Sequence, residues 1–272
     1  QSAFSASKHD LQHDDYLKQL VNQVMVRNRR EDTGIEWTNR RVQIVPIHFS
    51  PEEMEVYHLL GTLTSTASFS LITLQKEMCS SKEATALTLS KMLENSAERE
   101  ALEEILAKVM ALEVNSKAQK TLEIIEQAKD KVIIFTEYRA TQIYLQWYLH
   151  SHGITSVLFN GKFNKNKRDY MKHVFKEKAQ VLIATEAGGE GINLQFCHHV
   201  INYDLPWNPM KLEQRIGRVH RLGQEHDVHI YNLAVEDTIE IDILALLHTK
   251  IDVFEKVVGD LDAILTNFKK TV

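Results

Sequence analysis

Apolar positions change their rhythm along this chain. From Lys131 onward, short apolar runs rich in β-branched residues recur: KVIIFT (131–136), TSVLF (155–159), QVLIAT (180–185), HVINYD (199–204) and VHIYNLA (228–234). Between them, ATQIYLQWYLHSH, NKNKRDYMKHVFKEK and NPMKLEQRIGRVHRL carry helical spacing. Strands that are apolar throughout, alternating with helices, predict a parallel sheet covered on both faces, an α/β doubly wound lobe. Ahead of it, RVQIVPIHF (41–49) reads as a strand, with Pro46 placing it at a sheet edge. SPEEMEVYHLL (50–60) opens with a Ser cap, a Pro at the first helical position and early acids, which start a helix. Residues 67–129 contain neither Pro nor Gly and carry helical spacing, as in Leu102, Ile105, Leu106 and Val109, so about four helices are expected. A terminal helix or helix pair over 238–268 lines up Ile239, Ile243, Leu246, Leu247 and Ile251. Trp147 and Tyr148, on the helix after the KVIIFT run, are expected in the core. Strand 41–49 is expected to pair with strand 228–234, since both are apolar and of similar length at opposite ends of the lobe's sequence.

In such sheets ligands meet the loops at the carboxyl ends of the strands. Four polar stretches fall there: Thr136-Glu137-Tyr138, Asn160-Gly161-Lys162, Thr185 through Asn193, and Asp204 through Asn208. Parallel strands gather them on one edge.

Composition narrows the classes. Hydrophobic residues make up 43% of the 272, enough to bury a sizeable core. No run approaches the roughly 18 apolar residues of a spanning helix, so no membrane is expected. Two separated cysteines, Cys79 and Cys197, suit a reducing compartment. The net charge of −5 argues against nucleic acid, but its distribution matters more. Arg27, Arg29, Arg30, Arg40 and Arg41 crowd the early chain, and Lys162, Lys165, Lys167, Arg168, Lys172, Lys176 and Lys178 crowd a second stretch. His198, His199, His220, His226 and His229 lack the paired spacing of a zinc site, so no metal site is expected.

In QRIGRVHRLGQ (214–224), Arg215, Arg218 and Arg221 recur every three residues on a helix expected to begin beyond Pro209. Guanidinium groups offer a planar fork matched to phosphate oxygens. Gly217 lets another surface approach.

QRIGRVHRLGQ resembles motif VI of Swi/Snf-type, superfamily-two ATPases. ATEAGGEGINLQ (184–195) resembles motif V, and YDLPWNP (203–209) the segment after it. KVIIFTEYRAT (131–141), led by SKAQKTLEIIEQA, resembles motif IV; FNGKFNKNKRDYMKHVF (159–175) resembles the next nucleic-acid-contacting segment; MVRNRRED (25–32) resembles the connector between the two lobes of the motor. The similarity is loose over 25–60 and close over 116–258, and three motifs in order make it specific.

The resemblance implies the C-terminal RecA-like lobe of a two-lobe, ATP-dependent motor on double-stranded DNA, with ATP and Mg in the cleft. In that scheme Arg218 and Arg221 are arginine fingers. Gln214, Gly189, Gly191 and Asn193 lie at the nucleotide, while Thr136, Gly161, Lys162, Thr185, Gly188, Trp207 and Asn208 lie toward nucleic acid or in a coupling loop. There is no G-x-x-x-x-G-K-[ST] phosphate loop. It and the Mg ligands are expected on the first lobe, which is a partner of this one, and the start at Gln1 suggests a piece of a longer polypeptide. Remodelling members carry a basic residue at Glu186 and an apolar one at Glu190. The acids point to a prokaryotic branch that includes an RNA-polymerase-recycling type, hence to a cytoplasmic, nucleoid-associated protein. The expected organisation is a connector (1–40), an edge strand with helical insertion (41–130), the lobe (131–235) and bracing helices (236–272). The insertion and terminal helix are expected to brace the lobe or dock partners. Two other readings remain open: a catalytically dead binding module and a strand-separating helicase.

Overall fold

The computed structural model describes residues 37–63, 68–94, 99–161, 163–186, 193–258 and 264–265. Segment 25–32, Lys162, Gly188, Gly189, Glu190 and Gly191 lie outside them.

Six strands form one wholly parallel sheet. They are β1 (Arg40–Ile47), β2 (Val132–Thr136), β3 (Ser156–Phe159), β4 (Val181–Thr185), β5 (His199–Asn202) and β6 (Val228–Val235), in the order β1-β6-β5-β2-β4-β3. β1 lies at the edge and pairs with β6 from Arg40↔Val228 to Ile47↔Val235, the pairing its sequence predicts. Pro46 is tolerated there because an edge strand leaves one row of N–H groups outside the ladder.

Nine helices complete the described residues: α1 (Pro51–Leu60), α2 (Ser68–Ser80), α3 (Lys82–Leu93), α4 (Arg99–Ala111), α5 (Ser116–Ala128), α6 (Arg139–Ser151), α7 (Lys165–Glu177), α8 (Pro209–Ile216) and α9 (Ile239–Val258). α1 begins with the chemistry its sequence announces. Ser50 Oγ accepts from Glu53 N at 3.2 Å, and Glu53 Oε2 accepts from Ser50 N at 2.9 Å. Glu53 Oε1 also accepts from Ser116 N at 3.0 Å, which ties α1 to the start of α5.

Strand pleating divides the core in two. Val132 and Ile134 face the cluster built with α1–α6. Ile133 and Phe135 face the other side, with Phe175 of α7 and with Ile216 and Val219. Leu145 and Leu149 of α6 are fully buried on the first face, but Trp147 is 65% exposed and Tyr148 half-buried. This corrects the expectation that both aromatics lie in the core: the buried stripe of α6 runs through Thr141, Leu145 and Leu149, and Trp147 falls outside it.

Polar groups fasten the helical layer to the sheet. Lys117 of α5 is fully buried; its Nζ lies 2.6 Å from Glu240 Oε1, 3.9 Å from Asp204 Oδ1 and over the Tyr203 ring. Burial alone would lower the Lys117 pKa, but Glu240 and Asp204 outweigh it and raise it, keeping the ammonium charged. Asp204 Oδ2 accepts from Thr136 Oγ1 at 2.5 Å, Glu137 N at 2.9 Å and Ser80 Oγ at 3.1 Å. One carboxylate thus joins β2, the segment after β5 and the end of α2. Replacing Lys117 with Ala strands two buried acids and should cost about 3–5 kcal/mol in urea denaturation. A loss below about 1 kcal/mol would show that the cluster is not a fastening point.

Candidate functional site

α8 starts at the carboxyl edge of the sheet, where Asn208 Oδ1 accepts from Met210 N at 3.0 Å and Pro209 takes the first helical position. It runs back across the sheet and ends at Ile216. Arg218 and Arg221 therefore do not share a helix with Arg215, contrary to the sequence expectation. The backbone tightens past Gly217: Arg218 N donates to Arg215 O at 3.1 Å and Val219 N to Ile216 O at 3.0 Å. The two arginines stand in a half-buried turn, and Arg221 Nε donates to Gly217 O at 2.6 Å. Gln214, on the last turn of α8, is exposed.

Arg215 is no phosphate fork. It is 4% exposed, and its guanidinium donates to Asp204 O at 2.8 Å, Asn202 Oδ1 at 3.2 Å and Glu186 Oε1 at 2.9 Å while lying over Phe135. Glu186 also accepts from Lys211 at 2.5 Å. Burial would raise its pKa, but the Lys211 hydrogen bond and the Arg215 charge hold the carboxyl below its usual range. The acid that departs from the remodelling pattern has a local role: it pins the end of β4 to α8.

At the carboxyl edge, the ends of β2, β4 and β5 meet through Thr136, Glu186 and Asp204, whereas Lys162 and residues 187–192 of the expected gathering lie outside the described residues and Asn193 lies with the strap entering β5. Thr136 is fully buried with its hydroxyl committed to Asp204, so it is withdrawn from the nucleic-acid candidates. Thr185 is half-buried beside Glu186, and Gly161 closes a turn in which Arg168 donates to Gly161 O at 3.3 Å and Phe163 O at 3.1 Å. Arg168 is thus partly a turn brace, whereas Lys165 and Lys167 of α7 are exposed. Trp207 is 38% exposed; Lys250 Nζ donates to its carbonyl at 2.7 Å and Lys76 lies over its ring.

The turn at 217–224 is held from outside. Arg40, at the start of β1, binds Glu213 with two bonds of 2.6 and 2.8 Å and donates from Nε to His220 Nδ1 at 2.9 Å. His220 Nε2 lies 2.7 Å from Thr38 O, so that nitrogen carries the proton and Nδ1 accepts. The Trp37 ring meets His220 edge-on at 5.6 Å. From the other side, Leu194 N donates to Arg218 O at 3.0 Å, and Gln224 Nε2 reaches the carbonyls of Gln195 and Cys197 at 2.9 and 3.2 Å. Exposed Asn193 opens this strap. The turn is therefore clasped between the start of β1 and the strap entering β5.

The histidines stack instead of converging. His199 lies 4.6 Å from His198 and 4.9 Å from His229, centroid to centroid. Among the described residues no group of His, Cys, Asp or Glu is arranged to hold a metal ion, and no helix is long and apolar enough to cross a membrane.

The lobe is thus a parallel six-stranded sheet with the 214–224 turn clasped beside the 193–197 strap. The helicase conserved C-terminal domain matches residues 116–223. Residues 116–223 of this chain are a helicase C-terminal domain. A Bacillus subtilis (strain 168) protein described as uncharacterized ATP-dependent helicase YqhH is 54% identical over 280 residues, covering 99% of this chain and 50% of that protein. The chain spans about half the length of that relative. The C-terminal part of the Fun30 ATPase domain superposes with a TM-score of 0.60 at 20% identity, over 78% of this chain and 90% of that one, a likeness of fold.

Sequence reading missed the clasp on the helicase C-terminal domain because Arg40 and Glu213 are 173 positions apart. Gln224 offered a signal in the Gly-Gln pair that closes QRIGRVHRLGQ (214–224). Arg40→Ala should loosen the turn, speeding hydrogen exchange at 217–224 by at least about tenfold, at a stability cost of about 1–3 kcal/mol. Unchanged exchange there would refute the clasp.

Burial, with His198 and His229 alongside, lowers the His199 pKa to about 4, whereas an unfolded histidine titrates near 6.5. The unfolded chain binds this proton first as pH falls. The neutral ring's contribution is intact above about pH 6.5 and is lost between there and about pH 4. His199→Phe should flatten the melting-temperature profile across that window by a few degrees. A variant with the same acid limb as wild type would place the sensitivity elsewhere.

Proposed function

We propose that this chain is the C-terminal motor lobe of a Swi/Snf-type, ATP-dependent translocase on double-stranded DNA, with Arg218 and Arg221 as its arginine fingers. The observation that carries the reading is the clasped turn. It presents two arginines, neither fully buried, beside the strap that leads from the motif V segment into β5. A guanidinium fixed at a cleft can stabilise charge spreading over a transferring phosphoryl group. ATP would lie between this turn and a first lobe that supplies the phosphate loop and the Mg ligands. Gln214 and Asn193 are exposed near the same turn and suit the nucleotide side, with Gly189 and Gly191 proposed beside them on the resemblance alone.

The nucleic-acid path would follow the carboxyl edge, past Thr185 and Gly161 to Lys165 and Lys167 at the start of α7, with Lys162 and Gly188 assigned by resemblance. Trp207 and Asn208, linked to α9 through Lys250, suit a coupling loop. Such contacts read phosphates, not bases, so binding should be salt-dependent and indifferent to sequence. RNA polymerase remains a partner proposed on the resemblance of Glu186 and Glu190. The relative's name suggests strand separation, but the six described strands are all parallel and form no hairpin wedge. Translocation is the activity we favour, and displacement of a labelled strand by the full-length protein would favour unwinding instead.

In the full-length protein, Arg218→Ala should leave nucleotide and duplex affinity intact and lower DNA-stimulated turnover on the order of 10³-fold or more. Arg218→Lys should fail nearly as badly, because an ammonium lacks the planar fork. Rescue by Lys, together with a lowered melting temperature for Ala, would make Arg218 a brace. The isolated chain should show no turnover above background, and clear DNA-stimulated hydrolysis by it alone would overturn the two-lobe reading.

A further inference from the structure

The helical layer carries a groove that neither the fold nor the motor chemistry uses. A cavity of about 720 Å³ opens between α3, the loop from Leu112 to Asn115 and α6. Its wall is apolar and exposed: Trp147 is 65% exposed, Ile143 51% and Val114 40%. Tyr144 packs against Trp147 at 6.1 Å and Tyr148 at 5.8 Å between ring centroids, so the wall is an aromatic ladder along one face of α6. Contiguous apolar surface of this kind marks interaction sites.

The polar lining is acidic. Glu83 lines the cavity, and its Oε2 is shielded from solvent without a hydrogen-bond partner. Glu113 stands on the rim. The one lysine in the lining, Lys82, turns its ammonium into the protein, where it donates to the carbonyls of Met110 and Leu112. The groove therefore combines an aromatic wall with acidic lining residues, and a cation set over Trp147 would gain from the ring face beside them.

We propose that this groove docks a polypeptide segment carrying an arginine or lysine among apolar side chains. Duplex DNA is a poor occupant, because the acids repel phosphate. The first lobe is excluded by geometry: α6 covers the face of the sheet that holds Val132 and Ile134, whereas Ile216 and Val219 of the finger turn cover the opposite face. That exclusion rests on the function proposed above; the groove and its charge do not.

The test uses the full-length protein and two fluorescein-labelled amphipathic peptides of equal length, one of leucine and arginine, the other of leucine and glutamate. Fluorescence anisotropy should show saturable binding of the arginine peptide alone. Trp147→Ala and Glu83→Gln should each weaken it about tenfold, with melting temperature, duplex affinity and DNA-stimulated turnover as in wild type. Loss of DNA-stimulated turnover in Arg218→Ala with peptide binding intact separates the two readings. The proposal is overturned if neither peptide binds, if the glutamate peptide binds equally well, or if both variants bind the arginine peptide like wild type. Lost duplex affinity in Trp147→Ala would make the groove a nucleic-acid surface, and displacement of the peptide by ATP-driven closure would make it a lobe interface.

Discussion

A guanidinium buried to 4% exposure must find partners for its charge or unfold what surrounds it. Arg215 finds them in three segments at once: the Asn202 side chain and Asp204 carbonyl around the end of β5, Glu186 after β4, and the Phe135 ring on β2. Those contacts set how α8 lies against the sheet. They also link the end of the motif V strand to the motif VI helix through one side chain, with Glu186 held ionised by Lys211 and Arg215.

Once Arg215 is fixed, the chain beyond it has little freedom. The helix stops at Ile216, and Ile216 and Val219 are drawn into the core beneath the sheet. The residues between and after them turn outward. Arg40, Glu213 and His220 close one side of that turn, and Gln224 with the Leu194–Cys197 strap closes the other. Arg218 and Arg221 thus owe their placement to residues far from them in sequence, Arg40 on one side and the Leu194–Cys197 strap on the other. Because Arg40 begins β1, a shift of that strand's start would reach the turn through the Arg40 and His220 side chains.

Much of this was legible in the sequence. Apolar runs gave the parallel strands, and the Ser-Pro-Glu-Glu start gave α1. The shared length and hydrophobicity of 41–49 and 228–234 gave the edge pairing, and a run without Pro or Gly gave the four helices α2–α5. What was not legible depends on partners far apart in sequence. An arginine at helical spacing reads as a phosphate ligand until Asn202 and Glu186 are seen to enclose it. Thr136 reads as an edge residue until Asp204 takes its hydroxyl. Trp147 reads as core because hydrophobicity alone does not say which face of a helix is covered. The turn after Gly217 reads as continued helix because local propensity does not register the burial of Ile216 and Val219 that bends the chain away.

The role proposed for the clasped turn is to act on the transition state of phosphoryl transfer. Affinity for ADP with aluminium fluoride, compared with affinity for ADP alone, tests it most directly in the full-length protein with duplex DNA present. Transition-state analogues gain their extra affinity from groups that act only at the barrier. Arg218→Ala and Arg221→Ala should each weaken the fluoride complex on the order of 10²-fold or more while leaving ADP affinity within about twofold. Equal affinity of wild type and both variants for the fluoride complex would contradict the account.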